Sequence, residues 1–239
     1  MCATCGCGDE HHHEHEHSHD HHHGHDGHDK VVSLEARVLE KNDRIAADNR
    51  AWLTVHGVAA YNLMSSPGAG KTTLLERTLR ERRGRPVSVI EGDQETERDA
   101  ERIRAAGARA VQINTGAGCH LDAAMISRAL TELTPAARSV LFIENVGNLV
   151  CPALFDLGER ARVVIASVTE GDDKPLKYPH MFRAADVVVL NKIDLLPYVA
   201  FDVARFAAHA RRVNPRARIM HTSATRGDGL AEWYAWLEM

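Results

Sequence analysis

Apolar and polar positions divide this chain into two regimes that meet near residue 30. Residues 1 to 30 carry almost no large apolar side chains. Burial there cannot offset the chain entropy lost on ordering, so a flexible tail is expected. From residue 31 to about 57 the pattern turns helical, with Leu34, Val38, Leu39, Ile45, Ala46 and Trp52 recurring at three- and four-residue spacings. Ser33 followed by Glu35 offers a helix start that falls short of a full capping box. Short apolar runs then follow at 58–64, 87–90, 108–113, 140–143, 163–168, 187–190 and 219–220. Amphipathic stretches at 71–83, 95–106, 121–133 and 200–212 separate most of them. Apolar runs alternating with helices predict an α/β fold, a mostly parallel sheet covered on both faces. The expected division is a tail over 1–30 and one domain over 31–239 that begins with a helix over about 31–56.

Composition and charge narrow the classes. The net charge of −4 gives no reason to expect nucleic acid as a partner, although sixteen histidines gain charge as pH falls through about 6.5. The N-terminus lacks the basic start and apolar stretch of a signal peptide, and no run of about 18 apolar residues offers a membrane span. Five cysteines, three of them crowded into Cys2, Cys5 and Cys7, do not resemble a disulfide framework. The expectation is a cytoplasmic protein with reduced thiols and neither nucleic acid nor membrane as partner.

The first chemical motif is Ser65-Ser66-Pro67-Gly68-Ala69-Gly70-Lys71-Thr72-Thr73, between an apolar run and an amphipathic one. It matches the phosphate-binding loop except that Ser65 stands where the consensus has Gly. Gly68 and Gly70 let the backbone approach phosphate, Lys71 can reach the β- and γ-phosphates, and Thr72 can ligate Mg²⁺. Pro67, Ala69 and Thr73 complete the cradle, whose amide N–H groups face the phosphates. Asn191-Lys192-Ile193-Asp194 follows another apolar run. Its carboxylate can accept from N1–H and the 2-amino group of guanine, which adenine cannot match, so the pair of motifs favours GTP/GDP over ATP. Ser223 and Ala224 can close the base pocket through backbone groups. Asp93 suits a direct or water-mediated Mg²⁺ contact, and Glu144, in Glu144-Asn145-Val146-Gly147, suits a sensor of the γ-phosphate. A turn or helix-capping carboxylate is the plainer reading of each. No glutamine or histidine stands out to orient water, so slow intrinsic hydrolysis is expected, with Lys71, Thr72, Asp93 and Glu144 as the catalytic set.

Two metal-collecting devices accompany this loop. Cys2, Cys5 and Cys7 place three thiolates on a backbone loosened by Gly6 and Gly8, a set open to Ni²⁺ or Zn²⁺ on spacing alone. Residues 11 to 28 hold eleven histidines, a weak many-site Ni²⁺ reservoir. Inside the domain, adjacent Cys119 and His120 can join Cys151 around one ion, against the plainer reading of a buried thiol and a capping imidazole. Because Cys151 lies seven residues after Glu144, motion at a phosphate sensor would reach a metal ligand, which is linkage between two sites.

Together these segments resemble the hydrogenase nickel-incorporation GTPases, the HypB family. The resemblance rests on the cysteine tail, the histidine tract, residues 65–73, Glu91-Gly92-Asp93-Gln94-Glu95-Thr96, Cys119-His120, residues 144–151 and residues 191–194. It implies a P-loop NTPase fold with a G domain of the SIMIBI type, GTP-dependent homodimerisation, and an in-domain site near the dimer interface that holds Ni²⁺ or Zn²⁺. Implied partners are a HypA-type zinc maturation protein, the [NiFe]-hydrogenase large subunit and, where one is present, a nickel-binding prolyl isomerase. Lys174 is implied, more loosely, to reach nucleotide across the dimer. A urease-maturation GTPase is the nearest rival, but its in-domain motif is Cys-Pro-His. A nickel-storage protein with a vestigial GTPase domain is a rival of another class, opposed by the presence of Lys71, Thr72, Asp93, Asn191 and Asp194.

Overall fold

The computed structural model describes residues 26–82, 84–93, 98–116 and 118–238. Seven strands form one sheet: β1 (Ala59–Ser65), β2 (Val87–Asp93), β3 (Arg109–Asn114), β4 (Val140–Glu144), β5 (Ala161–Ser167), β6 (Val187–Asn191) and β7 (Arg218–His221). The helices are α1 (Asp26–Val55), α2 (Lys71–Glu81), α3 (Arg98–Ala105), α4 (Ala123–Leu133), the short α5 (Lys174–Lys177) and α6 (Pro179–Ala184), α7 (Val203–Val213) and α8 (Leu230–Leu237). The strand order is β3-β2-β4-β1-β5-β6-β7, and every pairing is parallel. This is the parallel α/β architecture expected from the alternating pattern.

The chain leaves β1 toward one edge of the sheet, returns through β4 and then builds toward the other edge. The order therefore reverses beside β1, and ligands in such sheets bind outside the carboxyl ends of the strands at that reversal. Both faces of the central strands are buried. Tyr61, Leu63, Val89 and Phe142 pack with Leu74, Leu75, Ile103 and Trp233 on one side. Ala60, Ile90, Leu141 and Ile143 pack with Leu53, Ile126, Leu130 and Leu133 on the other. A third cluster under α6 and α7 joins Val164, Val188 and Leu190 to Phe182 and Phe206.

Two features depart from the sequence pattern. Helix α1 begins at Asp26, so Ser33 lies within the helix and does not start it. Ser33-x-Glu35 is one residue short of the reciprocal capping spacing. Helix α8 has no counterpart among the expected elements. Its Trp233 is 1 % exposed and its indole N–H donates to Thr78 Oγ1 at 2.9 Å, which docks the C-terminal segment on α2. Among the described residues no helix is long and apolar enough to cross a membrane.

Phe142 lies fully buried on β4, with its ring centroid 5.9 Å from that of Tyr61. Phe142→Ala is expected to cost roughly 3–5 kcal/mol through lost burial and an unfilled cavity, read as a lower denaturant midpoint. A loss under about 1 kcal/mol would show that this core collapses around the gap.

Candidate nucleotide site and metal centre

At the end of β1 the loop around Gly68 and Gly70 opens into a cleft of about 520 Å³, whose walls include Lys71, Thr72, Asp93 and Glu144. Gly70 has φ of 94°, and a Cβ there would lie 2.5 Å from Asn191 Nδ2, so both conformation and space require glycine. Ser65, at the position where the consensus has Gly, ends β1 and is not among the positive-φ residues. Its hydroxyl donates to Ser66 O at 2.8 Å, and the local backbone needs no glycine there. Helix α2 opens at Lys71 without a side-chain cap, so its N-terminus faces the cleft with its amide groups.

The cleft holds a buried ion pair. Lys71 Nζ and Thr72 Oγ1 both donate to Glu144 Oε1, at 2.8 and 2.6 Å. Glu144 is 1 % exposed, and its Oε2 is buried with no hydrogen-bond partner among the described residues. Thr72, Asp93 and Glu144 thus offer oxygen donors, one of them unsatisfied, to the same space, a set that suits a hard cation such as Mg²⁺. Any nucleotide entering the cleft competes with Glu144 for Lys71 and Thr72.

Asn191, which ends β6, ties the loop to the segment after β7. Its Nδ2 donates to Ala69 O at 3.1 Å, and its Oδ1 accepts from Thr222 Oγ1 at 3.2 Å and Ala224 N at 3.1 Å. Lys192, in the left-handed conformation, donates from Nζ to Gly68 O at 2.7 Å. Asp194 lies in the first turn of the 3₁₀ segment Ile193–Tyr198, and its Oδ1 is buried without a partner among the described residues. Ser223 is fully buried, and its amide donates to Asp228 O at 2.9 Å. Glu170 carried no signal in the sequence, yet it accepts from Ser66 Oγ and from Ser167 N at 3.1 Å, and lies 3.6 Å from Lys174 Nζ. Lys174 is thereby paired within its own chain.

Across the same end of the sheet, the ligand atoms of Cys119, His120 and Cys151 lie within 4.8 Å of one another. Cys119 Sγ is 3.7 Å from His120 Nδ1, and Cys151 is buried at the start of the turn Cys151–Ala153. Phe155 stacks on the imidazole with centroids 3.9 Å apart and fixes the ring plane. Burial pushes the His120 pKa below its ordinary value, partly opposed by Asp122, and so keeps a nitrogen lone pair available. Two thiols and one imidazole suit Ni²⁺ or Zn²⁺ and leave further positions open.

The metal-ligand segments are braced from outside. Asp122 caps α4 by accepting from Met125 N at 2.7 Å, just after Cys119-His120. Asn42 of α1 accepts from Ala123 N at 2.9 Å and donates to Asp156 O at 2.8 Å, joining the two ligand-bearing segments. Asn49 does the same through Ala123 O at 2.8 Å and Leu157 O at 3.2 Å. These asparagines escaped the sequence reading because they lie on a helix whose apolar stripe alone was legible. Cys2, Cys5, Cys7 and the histidines up to His25 lie outside the described residues.

Known proteins resemble this chain over most of its length. The model of the CobW/HypB/UreG nucleotide-binding domain matches residues 59–221. A hydrogenase maturation factor HypB from Azotobacter chroococcum mcd 1 is 58% identical over 210 residues, covering 87% of this chain and 69% of its own. The crystal structure of HypB from Helicobacter pylori in complex with nickel superposes with a TM-score of 0.78 at 41% identity, over 83% of this chain and 94% of that one. HypB from Archaeoglobus fulgidus gives a TM-score of 0.78 at 44% identity, over 84% and 98% of the two chains. The phosphate-loop motif, the Asn191 hydrogen bonds and the Cys-His-Cys cluster stand on a domain of this likeness, and the chain belongs to the HypB family of hydrogenase maturation factors.

Proposed function

We propose that this chain is a GTP-hydrolysing nickel metallochaperone that helps insert nickel into the large subunit of a [NiFe]-hydrogenase in the cytoplasm. Residues 31–239 form its GTPase domain and residues 1–30 a metal-binding tail, with Cys2, Cys5 and Cys7 as tight ligands and the histidine tract as a weak reservoir. The single observation that carries the reading is the Glu144 contact. One carboxylate holds Lys71 and Thr72, and the short segment it begins runs on to Cys151, a member of the metal cluster.

Lys71 orients the β- and γ-phosphates of GTP, the amides at the start of α2 stabilise charge developing on them, and Asp194 selects guanine. Thr72 and Asp93 would hold Mg²⁺, which neutralises phosphate charge when bound. Glu144, displaced from Lys71 and Thr72 by the triphosphate, senses the γ-phosphate and shifts the segment 144–151. Cys119, His120 and Cys151 hold the nickel cargo, with Zn²⁺ as competitor, and nucleotide-linked homodimerisation completes the working form. A HypA-type zinc protein, the hydrogenase large subunit and, where one is present, a nickel-binding prolyl isomerase are the partners.

The test is Ni²⁺ titration with free metal set by a competing chelator, in GDP and in a non-hydrolysable GTP analogue, while oligomeric state is followed. Changing Cys2, Cys5 and Cys7 to Ser leaves Cys119 and Cys151 as the two thiols, so thiolate-to-nickel absorption reports the in-domain site alone. Cys119→Ala in that background is expected to weaken Ni²⁺ binding by at least about 10–100-fold, the scale on which even an outer partner of a ligand acts, and to reduce any metal-linked dimerisation. Equal Ni²⁺ affinity in the two nucleotides would mean that GTP does not gate the metal.

A further inference from the structure

Asn145 is fully buried and follows Glu144 at the end of β4. Its side-chain oxygen accepts from two backbone amides, Leu121 N at 3.2 Å and Val146 N at 3.0 Å. Its own amide donates to Asn62 Oδ1 at 3.2 Å, and Asn62 in turn donates to the buried Glu159 at 3.2 Å. One of the two held amides belongs to the residue after His120. The other lies on the segment that leads from Glu144 to Cys151. A single side chain therefore joins both arms of the metal cluster at the point where the carboxylate that holds Lys71 leaves the sheet.

Packing around this point leaves little slack. Leu121 is fully buried, and a Cβ at Gly92 would lie 2.8 Å from three of its side-chain atoms, so Leu121 rests on the backbone next to Asp93. A Cβ at Gly147 would lie 3.2 Å from Pro67 Cγ, so the segment after Asn145 rests on the phosphate loop. Close-packed interiors transmit small displacements instead of absorbing them. If Glu144 shifts, its neighbour Asn145 must either carry Leu121 with it or leave a buried amide unsatisfied, and the second choice is costly.

We propose that Asn145 is the positioning residue through which the nucleotide cleft sets the geometry of the Cys119-His120-Cys151 cluster. It is neither among the residues lining the cleft nor a member of the metal cluster. It holds the amide of Leu121 in register with the end of β4, so that a change at Glu144 alters the distance between the His120 arm and the Cys151 arm together. The proposal rests on the reading of the chain as a nucleotide-gated nickel protein, and it names the link by which the gate acts.

The test uses the full chain with Cys2, Cys5 and Cys7 changed to Ser, Ni²⁺ as the probe, free metal fixed by a chelator, and nucleotide saturating for each variant. The readout is the ratio of in-domain Ni²⁺ affinity in the GTP analogue to that in GDP. In the parent chain a ratio departing from 1 by about 5–150-fold is expected, the usual span of coupling between sites. Asn145→Ala is expected to bring the ratio to within about twofold of 1, far below that span.

Asn62→Ala is the structural control. It breaks the same buried network while leaving the acceptor for Leu121, so it lowers stability but keeps the ratio. Hydrogen exchange at the Leu121 amide, followed by NMR in the same parent chain, is expected to differ between GDP and the analogue and requires no variant of the network to fold. A ratio retained in Asn145→Ala, a ratio lost equally in Asn62→Ala, or Leu121 exchange indifferent to nucleotide would each overturn the role of Asn145. A parent chain whose ratio is already 1 would overturn the nucleotide-gated reading itself, and with it any link to be assigned.

Discussion

Asp194→Asn is expected to lower GTP-over-ATP discrimination by at least about 10²-fold, out of the roughly 10⁴-fold that matched hydrogen bonds can supply. The Asp194 Oδ1 atom is buried and unpartnered among the described residues. A buried carboxylate oxygen without a donor is costly, and guanine supplies donors at N1 and at the 2-amino group. Adenine supplies neither, so the oxygens stay unpaired against it. Asparagine replaces one acceptor by a donor. It can no longer match both guanine donors, but it does match xanthine, which carries N1–H beside a carbonyl at C2. Competition of GTP, ATP and XTP in turnover measures this directly. Gain of XTP use marks a folded variant with altered selection, whereas unchanged GTP preference would remove Asp194 from the base site.

Lys71→Ala is expected to lower GTP turnover by about 10²–10³-fold, the scale for removing one donor aimed at developing charge. It also breaks the pair with Glu144, whose side chain is 1% exposed and stands 2.8 Å from Lys71 Nζ. Breaking one side of a buried pair leaves an uncompensated charge and destabilises strongly. The two effects separate in a second variant, Lys71→Ala with Glu144→Gln, read against Glu144→Gln alone because Glu144 itself belongs to the catalytic set. Removing the stranded charge is expected to recover much of the lost stability while turnover stays low. If turnover rose with stability, the loss in the single variant would be a folding defect and Lys71 would have no special role on the phosphates.

Much of this site was legible because its chemistry is local in sequence. Ser65 to Thr73 carries its own glycines and lysine, and Asn191 to Asp194 carries its own carboxylate, each starting from the last residue of a strand. Cys119 and Cys151 were legible as candidates, since they are the two cysteines that follow residue 30. The residues that tie these parts together were not. Asn42, Asn49, Asn62, Asn145 and Glu170 are ordinary polar residues whose partners lie far along the chain, such as Asn49 with Leu157 at a separation of 108 residues. Nothing in a one-dimensional pattern distinguishes a buried, bridging asparagine from a solvated one. Ser33 misled for a related reason, because a capping signal is weak wherever the helix can extend past it.

The parallel α/β architecture, the nucleotide loop, the Asn191–Asp194 motif and the inventory of soft ligands could be read from sequence, because periodicity and short-range chemistry are written in neighbouring residues. Tertiary structure alone decided that Glu144 holds both Lys71 and Thr72, that three ligand atoms from two segments meet within 4.8 Å, and that Asn145 stands between cleft and cluster. The physical reason is the reversal of strand order beside β1. It brings the carboxyl ends of β2, β4 and β1 together, and side chains remote in sequence must then satisfy one another's buried polar groups there.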